Sequence, residues 1–199
     1  MQNELKIVAA FGVAAVLAGC DSTPASDPLT PYAEVDTEMS AMAEKYLDES
    51  GDLLGIVSAT TWGELPDDTS TVTATYSGFV GGVVEGGDLD GRNLVGELAL
   101  TADFGAESIS ATADNFYDST DQQYTGTLTT LDDGDIRDVS GTMMDAILTG
   151  DLSNGVDPAY ATDIALEGWF IGGTYDAVGG YADITIDGGL APGVFIAEQ

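Results

Sequence analysis

The chain has no histidine, a single cysteine and only four basic residues among 199. Without histidine, the usual general base, metal ligand and near-neutral pH switch are all missing. One cysteine, Cys20, closes no disulfide within the chain, so stability must come from burial and hydrogen bonding. Lysine does not recur after Lys45, and no Gly-x-Ser-x-Gly, Gly-x-Gly-x-x-Gly, Gly-Lys-Ser/Thr or Asp-Ser/Thr-Gly signature occurs. A nucleophile would therefore lack an activator. A carboxylate pair of the kind that hydrolyses glycosides carries no signal among 35 acids. These absences predict a non-enzymatic protein without a cofactor or a metal centre.

The scarcity of cations gives a formal net charge of −31. Such a surface repels phosphate backbones and anionic headgroups, which excludes nucleic acid as a partner. High charge with few aromatics can signal disorder, yet 44% hydrophobic residues, set in alternating runs, argue for a packed core. The acidity has two readings: solubility in a salty medium, where surface charges are screened, or attraction of cations or a basic partner.

The one long apolar run is Ile7 to Gly19, ending Leu17-Ala18-Gly19-Cys20. At about thirteen residues it is short of the roughly twenty that a spanning helix needs. Its length and its small residues before the cysteine suit a lipoprotein signal peptide. Residues 1–19 are thus expected to be removed and Cys20 to be acylated, anchoring the chain to a bacterial membrane. Several acyl chains on one cysteine hold firmly, at about 0.8 kcal/mol per buried methylene.

Residues 20–31 are polar and proline-bearing, a mobile tether. From Val35 to Leu47 the apolar positions Val35, Met39, Met42, Ala43, Tyr46 and Leu47 fall on one face of an amphipathic helix. Thr30-Pro31 would open it and Gly51 would stop it. Its methionine-bearing face suits packing on its own domain, or a partner. Helix and linker fill 32–70.

Beyond Thr71 the hydrophobic period changes to two. Eight strands are expected at about 72–80, 93–104, 107–113, 123–131, 142–152, 161–171, 180–187 and 193–198. In the second, Leu94, Gly96, Leu98, Leu100, Ala102 and Phe104 share one face, with Glu97, Thr101 and Asp103 opposite. Glycine- and aspartate-rich turns such as Gly86-Gly87-Asp88, Ser153-Asn154-Gly155 and Asp187-Gly188-Gly189 separate the strands. They are too short for crossover helices, so every connection should be a hairpin. Residues 71–199 should then close into a mainly β domain, an eight-stranded antiparallel up-and-down β-barrel behind one N-terminal helix. A sandwich is the alternative. Glu97, Asp103, Asp145, Asp151 and Glu167 make the outer face too charged for lipid, against a membrane-spanning barrel. Gly96-Glu97-Leu98, Gly126-Thr127-Leu128 and Gly150-Asp151-Leu152 each set a glycine two residues before a leucine, a pattern of tight bends or close approach. Asp88-Leu89-Asp90-Gly91 and Asp132-Asp133-Gly134-Asp135 are oxygen-rich turns that calcium could use, but neither continues to an EF-hand glutamate.

The segments Tyr76-Ser77-Gly78-Phe79, Leu94 to Gly105, Gly150-Asp151-Leu152, Gly168-Trp169-Phe170-Ile171-Gly172 with Val178-Gly179-Gly180, and Gly193-Val194-Phe195-Ile196-Ala197 carry a resemblance. From Tyr76 onward the chain resembles the β-barrel domain of transferrin-binding protein B and its single-barrel surface-lipoprotein relatives. It departs from that pattern at Gly173, where the family has proline, and at Tyr175-Asp176-Ala177 before Val-Gly-Gly. The resemblance implies a lipid-anchored barrel facing the medium, in a family whose members bind iron-carrying, haem-carrying or complement-regulating proteins. It implies no particular ligand, protein or solute, because the binding loops vary. It favours the outer membrane or cell surface, whereas Asp21 beside Cys20 leaves inner-membrane retention open. The competing role is a structural envelope spacer that assembles through the N-terminal helix.

Overall fold

The computed structural model describes residues 29–48, 51–55, 57–66, 69–139 and 142–199. The expected signal peptide, Cys20 and most of the expected tether lie outside the described residues. Ten strand segments follow one helix, α1 (Pro31–Ala43): β1 (Thr73–Val83), β2 (Asn93–Asp103), β3 (Ser108–Asp118), β4 (Gln123–Tyr124) and β5 (Leu128–Thr130). Next come β6 (Gly134–Val139), β7 (Thr142–Leu152), β8 (Tyr160–Ile171), β9 (Ala177–Ile186) and β10 (Gly189–Glu198). Their order is antiparallel throughout, and β1 pairs with both β2 and β10. Because β4, β5 and β6 succeed one another alongside β3, they form a single broken stave, and the whole is a closed eight-stranded barrel.

The broken stave refines the expected strand at 123–131. Its register against β3 slips between β4 and β5 and again between β5 and β6. Gly126 sits at one slip with φ +135°, a conformation that favours glycine, and an added Cβ there would lie 2.1 Å from the Asp151 carbonyl oxygen. A second irregularity lies between β2 and β3, where Asn115 takes φ 51° and the register shifts past Gly96. Gly96 leaves the space that the Phe116 ring fills, since a Cβ would come within 2.5 Å of it. β3 runs five residues beyond the expected end at 113, because the bulge lets pairing with β2 resume at Tyr117 and Asp118.

The alternation along β2 faces as expected: Leu94, Leu98, Leu100, Ala102 and Phe104 are buried inside, and Glu97 is exposed. Tyr76, Phe104, Phe116, Tyr124, Phe170 and Phe195 are the largest fully buried side chains, joined inside by Leu148, Ile164 and Ile184. Gly168 and Gly180 are register partners across β8 and β9, and Gly180 faces Phe195 on β10. A Cβ on Gly168 would meet the Phe195 ring at 2.6 Å, so these glycines make room for an aromatic ring inside a narrow barrel.

The helix opens at Thr30-Pro31 as expected and ends earlier than its apolar period suggests. Thr30 caps it with its hydroxyl on the Ala33 amide, and Pro31 occupies the first turn. It ends at Ala43, and turns carry the chain to Leu47, ahead of Gly51. Its apolar face packs on the outside of the barrel. Val35 and Met39 cluster with Phe79 and Val95, while Ala43 and Leu47 cluster with Ile171, Ala177 and Ile196. This explains why Val95 and Phe79, on the outer side of their strands, are nevertheless buried.

Candidate functional site

A barrel can work through its lumen, its ends or its outer wall. The lumen is occupied by its own side chains, and among the described residues no buried side-chain nitrogen or oxygen lacks a hydrogen-bond partner.

One end is closed by aromatics. Phe104 stacks at a tilt on Phe170 (5.4 Å between centroids) and on Tyr175 (4.8 Å), and Leu65 packs against the same core. The Tyr76 hydroxyl donates to the Tyr175 carbonyl at 3.0 Å, and the Gln199 side-chain amide donates to the same oxygen at 2.9 Å. The Thr60 amide donates to the Phe170 carbonyl at 2.8 Å, which draws residues 57–65 over this end. Its hydroxyl also donates to the Gly172 carbonyl, making Thr60 a two-point clasp.

The other end is closed by an ion pair. Asp118, at the last position of β3, is fully buried. Arg92 Nη1 lies 2.5 Å from Asp118 Oδ2, and the Tyr124 hydroxyl donates to that same oxygen at 2.9 Å. Asp118 Oδ1 accepts from the Thr120 amide (2.8 Å), the Thr120 hydroxyl (2.6 Å) and the Gln122 amide (3.3 Å). Burial alone would push this carboxyl up, but the Thr120 and Arg92 donors outweigh it and hold its pKa below the usual carboxylate range. Arg92 is raised by the same pairing. Burial and then the Asp118 carboxylate push the Tyr124 phenol well above its ordinary value. Both carboxylate oxygens of Asp118 accept from donors within the protein, so the site reads as a polar plug.

The residue pattern does not mark Arg92 and Asp118 as partners. Arg92 and Asp118 lie 26 residues apart and meet only through the β2–β3 register. The one available signal is that Arg92 is among the very few cations.

The oxygen-rich turn 88–91 also closes this end. Asp90 Oδ1 accepts from the Gly86 amide at 2.7 Å, Leu89 is buried at the lumen, and the Asp88 amide donates to Asp187 Oδ2 at 3.3 Å. Of the other turn, Gly134 and Asp135 belong to β6. Among the described residues no three acidic, histidine or cysteine side chains are grouped to hold a metal ion.

The outer wall carries a concave feature. Between α1 and the outer faces of β1, β2 and β3 runs a groove of about 600 Å³. Ser77, Ala99 and Thr112 are aligned in register across the three strands and form its floor. Ala41 and Met42 form the helix wall, with Glu38 and Lys45 along it. The next register row, Phe79, Glu97 and Asp114, closes one side. Lys45 is already paired with Glu198 at 3.0 Å, and Glu97 Oε1 accepts from the Asn115 amide at 2.7 Å.

Comparison of the chain with protein-family models and with curated proteins finds no match.

Proposed function

We propose that this chain is a non-enzymatic, lipid-anchored lipoprotein of the cell envelope that captures an extracellular protein on its outer wall and loops. The observation that carries this reading is the filled lumen, closed at one end by Phe104, Phe170, Tyr175 and Leu65 and at the other by Arg92, Asp118 and Tyr124. A barrel of this kind offers a small solute no interior, so recognition falls to the surface. The anchor comes from Cys20 and the run before it. The resemblance to the transferrin-binding protein B barrel supports placement at the outer membrane or cell surface.

The position of α1 supports an orientation. Its first turn lies at the Arg92 end, where the Asn93 side-chain amide donates to the Tyr32 hydroxyl at 2.6 Å. An acylated Cys20 stands nine residues before Leu29, a reach of at most about 30 Å. The Arg92 end would therefore face the membrane, and the end bearing the 104–107 and 172–176 loops would face the medium. The spacer role draws less support, because the face of α1 bearing Val35 and Met39 is spent on the barrel itself.

Pull-down from culture medium with the acylated full-length protein should recover a protein retained by the barrel, and protease shaving of intact cells should cleave it. A chain untouched by shaving and without a captured protein would overturn the reading.

A further inference from the structure

We propose that the groove beside α1 is a docking site for an arginine- or lysine-bearing segment of a basic protein. This rests on the reading above that the outer wall captures a protein, and it gives that partner a chemistry and a place.

The geometry is concave. A β-barrel is convex outside, and here a helix lying across β1, β2 and β10 creates a trench along its β2–β3 flank. The floor is a row of three small exposed side chains, Ser77, Ala99 and Thr112, on paired strands. A row of small residues on a rigid sheet admits a bulky incoming side chain without rearrangement, which keeps the ordering cost of binding low. Met42 offers an adaptable apolar flank suited to the methylene stem of arginine or lysine.

The charge on the rim sets the class of occupant. The Glu38 and Asp114 carboxylates are exposed and make no hydrogen bond or ion pair among the described residues, and Glu97 keeps an oxygen beyond its bond to Asn115. The lining cation, Lys45, is occupied by Glu198. A cationic head entering between Glu38 on one wall and Glu97 and Asp114 on the other would meet carboxylates from both sides, with its stem over Ala99 and Met42. Anionic and neutral partners gain nothing comparable, and the overall charge of −31 steers basic proteins toward the surface.

The test is a calorimetric titration of the full-length acylated protein, in detergent, with an eight-residue peptide of alternating arginine and alanine. The combined variant Glu38→Gln, Glu97→Gln, Asp114→Asn should weaken binding at least about tenfold, and Ala99→Trp, which fills the trench without changing charge, should do the same. A variant of equal charge change on the far wall, Asp151→Asn, Asp163→Asn, Asp183→Asn, should change it less than about twofold. Equal weakening by both triple variants, or full binding by Ala99→Trp, would show a diffuse electrostatic attraction and overturn the site. No binding of the peptide to the unaltered protein would also overturn it. An empty pull-down alongside intact, groove-dependent peptide binding would count against the capture reading while leaving the site standing.

Discussion

The barrel and the N-terminal segment that straps it (the described parts of 29–66) are held by different physics. The barrel is a continuous hydrogen-bonded cylinder around one apolar core, with each stave bonded on both sides. The strap touches it through two small apolar clusters and a few polar clasps. Beside the Lys45–Glu198 ion pair and the Thr60 hydrogen bonds, three of those clasps are phenolic. The Tyr46 hydroxyl donates to Glu198 Oε1 at 2.8 Å, the Tyr181 hydroxyl donates to Asp52 Oδ1, and Tyr32 meets Asn93. In a chain this poor in lysine and arginine, phenols supply donors to Glu198 and Asp52, and such bonds are not screened by salt as exposed ion pairs are. The contrast teaches that the barrel should survive loss of the strap, whereas the strap has no structure to keep without the barrel.

The largest effect should come from the barrel core. Phe170→Ala removes a ring that packs on Tyr76 and Phe104 and should cost about 3–5 kcal/mol in urea unfolding. A cost under about 1 kcal/mol would mean that this end is not packed as described.

The polar plug comes next. Asp118→Ala strands the Arg92 guanidinium and the Tyr124 hydroxyl and should cost on the order of 3 kcal/mol. Its pH dependence follows from the depressed carboxyl. The contribution is complete above the unfolded value of about 3.8 and is lost as pH falls through the lower native value. Wild type should therefore lose stability in that acid window and Asp118→Asn should lose less; parallel acid curves would remove the plug from the account.

The strap separates from the barrel in the third test. Met39→Ala should speed amide exchange across 31–47 by about tenfold or more while leaving β7, β8 and β9 unchanged. Uniform acceleration throughout would make strap and barrel one cooperative unit.

The smallest effects are the clasps. Tyr46→Phe and Tyr181→Phe should each cost about 1 kcal/mol of strap docking, equally in low and high salt. Burial first, and then the partner carboxylate, raises both phenols to about 12. Their contribution is complete below pH 10 and is lost as pH climbs from there through about 12, so the strap should loosen in that window with the barrel still folded.

Much of this architecture could be read from residue order alone, and the reason is local. The Leu94–Phe104 alternation and the glycine-bearing hairpin turns are short-range patterns, and period-two burial translates directly into a wall with an inside. Asp187-Gly188, both at positive φ, is a two-residue hairpin turn recognisable from its type. What stayed hidden depends on distant register. The breaks that divide 123–139 into three pieces answer to β3 and β7, and the Arg92–Asp118 pair needs the β2–β3 bulge in place. The groove appears only once α1 lies across the wall, because its floor comes from three strands and its flank from a fourth element. The methionine-bearing face, by contrast, was legible as an apolar stripe, and Met39 and Val35 bury it on the barrel.

The central claim is a lumen filled by its own side chains, so that recognition takes place outside. Methyl-selective NMR of the full-length protein during titration with a medium-chain fatty acid tests it most directly. The methyl signals of Leu98, Leu148 and Ile164 should not move. Saturable, stoichiometric shifts at those three residues would reveal an interior that opens to ligands and would contradict it.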